Sequence, residues 1–350
     1  MNMKYLNAML ATCLSVGAVV ATAKPLPDLR GGETGRIAFN SITPPNRHEF
    51  ARLNLQSTPS VVVEGDLLMP KNSSAGTQVP AVVLSHGSGG VESNMFDVWA
   101  KELNAAGYAV MITDSYRPRG VSETNSDQSR VPYPAHVADT LNALRMLATH
   151  PQIDANKIFN IGFSRGGSAA FDTAWPTWQR PVNTNGAKFA GHVVYYPGNC
   201  NTRFRTDDRE QQTAPIYVLL ADRNNEEAQD VAVCERWYDE MNAKGANIQY
   251  KEYKGARHGF DGLNFNYRVN PVTSSGKGCD LEIYMTTVLG GGLGKNGYDF
   301  KAKKQMKSFD DFTQAMKCLT MTPGSRGGGN AREVQAEAVA DTLNFLNGLK

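Results

Sequence analysis

Short apolar runs alternate with stretches of helical periodicity along most of this chain. The runs at 61–69, 79–85, 108–114, 157–163, 191–198, 214–222 and 248–255 predict strands. Between them, 96–107, 135–150, a small-residue stretch from 165, and 227–245 predict helices, and 331–350 predicts a closing one. Strands and helices in strict alternation predict a mostly parallel central sheet covered by helices on both faces. Residues 24–60 are rich in Pro, Gly and Asn and predict an extended lead-in. Residues 262–330 break the rhythm: they are polar and glycine-rich, and predict an insertion or loop segment before the last helix. One α/β domain over 24–350 accommodates all of this.

The first 23 residues belong to no such element. A short polar start with Lys4 precedes an apolar stretch from Ala8 to Val20, and Ala21-Thr22-Ala23 follows. That is the pattern of a cleaved secretory signal peptide, 1–23, and predicts a periplasmic or secreted protein with no membrane attachment after cleavage. Leu10-Ala11-Thr12-Cys13 has the outline of a lipoprotein box, but Thr precedes the cysteine. Removing the leader leaves Cys200, Cys234, Cys279 and Cys318. An even count in an exported chain predicts two disulfides. Cys200–Cys234 and Cys279–Cys318 are preferred, because each pair then lies within one stretch of chain. No C-x-x-C spacing supports a zinc site.

Composition narrows the function classes. The 350 residues are 41% hydrophobic and 20% charged, and the formal net charge is +2. No basic run tracks a phosphate backbone, so a nucleic-acid partner is not expected. The glycine-rich LGGGLGKNG (289–297) lacks the spacing and the Ser/Thr of a phosphate loop, and no strand feeds it. Nothing in the sequence calls for a cofactor or a metal.

The chemistry centres on KIFNIGFSRGGSAA, residues 157–170. G-x-S-x-G between an apolar strand and a small-residue helix is a nucleophile elbow, and it presents Ser164 over the sheet. A serine hydroxyl needs a base. His258, in GARHGFDG after the last predicted strand, is preferred over His192, which sits inside the apolar run GHVVYY. His86, in the HGSGG loop, is expected to shape that loop. The acid that orients His258 should follow the strand in PIYVLLADRNNEE. Asp222, directly after the apolar run, is preferred, with Asn224 and Glu226 as alternatives. The oxyanion donors are expected to be the backbone N–H groups of Arg165 and Ser88.

The motifs VVLSHGSGG, DSYRPRG, NIGFSRGG, VVYYPGNC and GARHGFDG, in that order, resemble the dienelactone hydrolase family of the α/β-hydrolase superfamily. The resemblance covers about 60–262 and the last helix. It implies the α/β-hydrolase fold and hydrolysis of a small-molecule carboxylic ester or lactone through a nucleophile, here Ser164, with His258 as base. The enzyme that names the family carries a cysteine nucleophile, so its lactone is not assumed as substrate. A peptidase-like enzyme and a non-catalytic binding protein on the same fold are the alternatives.

Overall fold

The structure is a computed structural model. It describes residues 24–53, 55, 56, 58–71, 76–205, 210–284 and 297–350. The expected signal peptide and most of the LGGGLGKNG stretch lie outside the described residues.

Eight strands form the central sheet: β1 (Gly35–Ile42), β2 (Ser60–Leu68), β3 (Val79–Ser85), β4 (Ala109–Asp114), β5 (Ile153–Phe163), β6 (Gly191–Tyr195), β8 (Ile216–Ala221) and β9 (Ile248–Tyr253). β7 (Thr202–Arg205) lies outside it. The order is β1-β2-β4-β3-β5-β6-β8-β9. β1 and β2 are antiparallel to each other, and β2 is antiparallel to β4. From β4 to β9 every pairing is parallel. The helices are α1 (Arg47–Ala51), α2 (Lys101–Ala105), α3 (Tyr133–Leu147), α4 (Arg165–Asp172), α5 (Pro176–Gln179), α6 (Val231–Ala243), α7 (Phe309–Ala315) and α8 (Ala331–Asn347).

Burial on both faces explains why β3 and β4 read as unbroken apolar runs. Side chains alternate between faces. Val83 and Met111 enter a core with Leu141 and Leu144 of α3. Val82, Leu84, Val110 and Ile112 enter another with Leu103 of α2 and Val334 and Ala338 of α8. This is the α/β-hydrolase fold. It aligns the carboxyl ends of β5, β8 and β9, where this class of sheet holds its ligands.

Two expectations change. The 24–60 stretch is not simply extended: it contains α1 and also β1, which pairs with β2 along its whole length. GRIAFNSI buries Ile37, Ala38 and Phe39 while Arg36 reaches Glu64 and Asp66. The 262–330 stretch is not loop alone. β10 (Arg268–Ser275) pairs with β14 (Thr320–Arg326). β11 (Leu281–Tyr284), β12 (Tyr298–Asp299), β13 (Lys304–Gln305) and β7 make a second small sheet. A minor core of Cys279, Leu281, Ile283 and Met306 supports it. The cysteines pair as expected, Cys200–Cys234 with Cα atoms 4.9 Å apart and Cys279–Cys318 at 5.1 Å. Among the described residues, no helix is long and apolar enough to cross a membrane.

Candidate active site

β5 ends at Phe163 and α4 begins at Arg165, so a single residue makes the turn. Ser164 takes φ 53° and ψ −113°, a conformation that costs a non-glycine residue on the order of 1–3 kcal/mol. Packing enforces it: Ser164 N–H donates to Tyr195 O at 3.0 Å and Ser164 O accepts from Ser168 N at 2.9 Å. The flanking glycines are dictated by space. A Cβ on Gly162 would lie 2.0 Å from Gly166 O, and one on Gly166 would lie 2.1 Å from Ser85 O. The helix therefore presses against β3 and β5 as closely as backbone allows.

His258 follows β9 and meets Ser164: its Nε2 lies 2.9 Å from Ser164 Oγ. On the other side its Nδ1 lies 3.2 Å from each carboxylate oxygen of Glu226. Both partners are buried, Glu226 fully. Burial pushes the Glu226 carboxyl up. The His258 ring, the Ala228 N–H and the Arg326 guanidinium outweigh that, and hold it below the ordinary carboxylate range.

The preferred Asp222 is not at His258. Its Oδ1 accepts from Asn224 N at 2.9 Å and its Oδ2 from Gly255 N at 2.8 Å. A carboxylate directly after a strand is well placed to close an Asx-type turn, and Asp222 does so, tying the loop after β8 to the turn after β9. Asn225 N and Glu226 N then both donate to Asp222 O. The turn swings the chain, and the residue that reaches the imidazole is Glu226. Asn224 contributes its backbone N–H to that turn.

The 262–330 segment braces this loop. The Glu227 carboxylate accepts from Ser325 N at 2.7 Å and Ser325 Oγ at 2.6 Å. Ser275 Oγ donates to Glu227 O, and Gly276 N to Ala228 O. The same two strands place Arg268 and Arg326 in the cleft over Ser164, where Glu92 also lies. The wall of the cleft is mainly polar side chains and glycine backbone.

One side chain that sequence reasoning missed joins Arg165 to Ser88. Gln128 Oε1 accepts from Arg165 Nη1 at 2.8 Å, and Gln128 Nε2 donates to Ser88 Oγ at 3.0 Å. Gln128 O and Val131 O accept further bonds from the Arg165 guanidinium. Gly87 comes so close that a Cβ there would lie 3.5 Å from Ser164 Cβ. His86 shapes this loop: Nδ1 pairs with Gly87 O at 2.7 Å and Nε2 accepts from Ser115 N at 3.1 Å. Burial lowers its pKa, which keeps the ring neutral. His192 is fully buried within β6, its pKa pushed down to about 3 by burial.

Two more residues stand behind the imidazole. The Tyr196 ring centroid lies 4.6 Å from that of His258. Its hydroxyl donates to Asp261, which also accepts from Asn94 Nδ2 at 2.6 Å and Trp99 Nε1 at 3.2 Å. The only signals for Asp261 and Tyr196 were their places in GARHGFDG and VVYYPGNC; Asn94 and Trp99 carried none. Among the described residues, no group of three or more His, Cys, Asp or Glu side chains is placed to hold a metal ion.

Comparison with known proteins gives three results. A search of curated proteins finds no match. Among solved structures, esterase 2 of the planctomycete Thermogutta terrifontis is similar. With propionate bound it has a TM-score of 0.46 and 16% identity, over 57% of this chain and 81% of that one. Phosphorylated by paraoxon it has a TM-score of 0.47 and 18% identity, over 58% and 82%. The sequence profile of the dienelactone hydrolase family matches residues 63–268, which includes Ser164, Glu226 and His258. This chain belongs to the dienelactone hydrolase family.

Proposed function

We propose that the protein is an exported serine hydrolase of small carboxylic esters or lactones, with Ser164 as nucleophile, His258 as base and Glu226 as acid. The observation that carries this reading is the position of one imidazole, 2.9 Å from the Ser164 hydroxyl and 3.2 Å from a buried carboxylate. Family membership points to the same chemistry.

His258 Nε2 takes the Ser164 proton as Oγ attacks the ester carbonyl. Glu226 accepts from Nδ1–H, fixes the tautomer and stabilises the imidazolium. The tetrahedral oxyanion is held by the backbone N–H groups of Arg165 and Ser88, and the start of α4 adds its positive end. The imidazolium returns its proton to the departing alcohol. Water, deprotonated by His258, then attacks the acyl-enzyme and releases the acid. Two disulfides and the 1–23 leader support export.

The test is turnover of p-nitrophenyl esters of graded acyl length by the wild type and by Ser164→Ala. Loss of roughly 10³-fold or more in the variant is expected, because the triad acts as a unit. Equal rates in the two proteins would exclude Ser164. Absence of turnover with every ester, in a folded wild type, would favour the binding-protein alternative.

A further inference from the structure

The loop that carries Glu226 is held from outside the central sheet. The carbonyl oxygens of Glu226, Glu227 and Ala228 each accept a hydrogen bond from the end of β10 and the residues after it. The donors are Lys277 Nζ, Ser275 Oγ and Gly276 N respectively. The Glu227 carboxylate also accepts from β14, at 2.7 Å from Ser325 N and 2.6 Å from Ser325 Oγ. β10 and β14 are antiparallel partners, with Ser275 opposite Thr320 at one end. Beyond that end the ribbon is closed covalently, by the bond between Cys279 and Cys318.

Glu226 and Glu227 are neighbours with the same chemistry, and their partners tell them apart. Ser325 takes Glu227. Glu226 accepts from Ala228 N at 2.8 Å and stands at the imidazole. A loop keeps a side chain in place to a fraction of an ångström only when something rigid supports it. The Asp222 turn fixes this loop up to Glu226 N, and the ribbon takes over at Glu226 O.

We propose that Glu227 and Ser325 are positioning residues for catalysis: the ribbon clamps Glu227 so that its neighbour Glu226 faces His258. The proposal rests on the reading of Glu226 as the acid. It gives the 262–330 segment a part in the chemistry that needs no contact with substrate. Glu227, Ser275, Lys277 and Ser325 are not among the residues that line the cleft over Ser164. Loss of the clamp should therefore fall on kcat and spare KM.

Steady-state hydrolysis of a p-nitrophenyl ester tests it, in wild type, Glu227→Ala, Glu227→Gln, Glu226→Gln and the double variant Glu226→Gln/Glu227→Ala. Glu227→Ala should lower kcat by roughly 10- to 100-fold, the scale of ångström-level misplacement, with KM changed by less than about twofold. Glu227→Gln should stay within about threefold of wild type, because its amide oxygen accepts from Ser325 N and its amide N–H donates to Ser325 Oγ. Glu227 acts through Glu226, so the double variant should be about as slow as Glu226→Gln alone. Thermal unfolding establishes that each variant is folded. Ser325→Ala, which deletes one bond of the clamp, replaces Glu227→Ala if that protein does not fold, with a smaller loss in the same direction. Wild-type kcat in the folded clamp variant, a loss confined to KM, an equal loss in Glu227→Gln, or additive losses in the double variant would each overturn the proposal and leave Glu226 as the acid. Unchanged kcat in folded Glu226→Gln would overturn the acid assignment itself, and the proposal with it.

Discussion

Glu226, and not the nearer-to-strand Asp222, faces His258: both of its carboxylate oxygens lie 3.2 Å from Nδ1. Asp222 is spent on the backbone N–H groups of Asn224 and Gly255. The two carboxylates therefore have different partners, and the proposed triad gives them different tasks, one electrostatic and one architectural. Glu226→Gln should lower kcat by on the order of 10³–10⁴-fold, the scale of the matching acid-to-amide change in Ser-His-Asp proteases. Asp222→Ala should chiefly lower stability, by about 1–3 kcal/mol for the lost turn bonds. Steady-state kinetics and denaturant unfolding on both variants separate the two roles.

Gln128 ties Arg165 to Ser88. Gln128→Ala should leave Ser164 and His258 in place but loosen the loops that carry Arg165 and Ser88, whose N–H groups are the proposed oxyanion donors. A fall in kcat of roughly 10- to 100-fold is expected, from misplacement of donors on the ångström scale. KM should change much less. A rise in KM with unchanged kcat would show that Gln128 serves ground-state binding instead.

Space dictates the elbow glycines. Gly166→Ala places a Cβ against the Ser85 and His86 carbonyl oxygens, at 2.1 and 2.4 Å. Neither backbone oxygen can move without disturbing β3. A loss of about 1–3 kcal/mol or more is expected in urea unfolding, together with loss of turnover. An unshifted midpoint would contradict the packing described at the turn.

Burial pushes the Asp172 carboxyl from 3.8 up to about 6, against the pull of the Tyr133 hydroxyl, Arg47 and Asn199. The folded state thus binds this proton more tightly than the unfolded chain. Its contribution is greatest below about pH 4 and is lost as pH rises to about 6. Asp172→Asn has no such proton. The stability of the variant relative to wild type should therefore rise between about pH 4 and pH 6 and level off above. A difference that stays flat across that window would contradict the assignment.

Much of the sheet was legible because buried parallel strands are short apolar runs, as in VVLS and IYVLLA, and the helices between them keep their period. The meeting of Ser164 and His258 was legible because each sits in a local motif at a strand end. The acid was not. Asp222 meets every local criterion, and what removes it is a bond to Gly255, 33 residues away in sequence. β1 escaped because its alternation is short and framed by Pro and Gly. β7 and β11 escaped because their parallel pairing joins residues such as Thr202 and Leu281, and no local pattern encodes it. Gln128 reads as an ordinary loop residue until α4 brings Arg165 against it.

If the Glu226–His258 pair activates Ser164, covalent labelling of the serine will depend on Glu226. The protein is treated with a fluorophosphonate, the adduct is located by peptide mass spectrometry, and the labelling rate is compared between wild type and Glu226→Gln. The predicted result is a single adduct on Ser164, formed in the variant at least about a hundredfold more slowly. An adduct on another residue, or equal labelling rates in two folded proteins, would contradict the account.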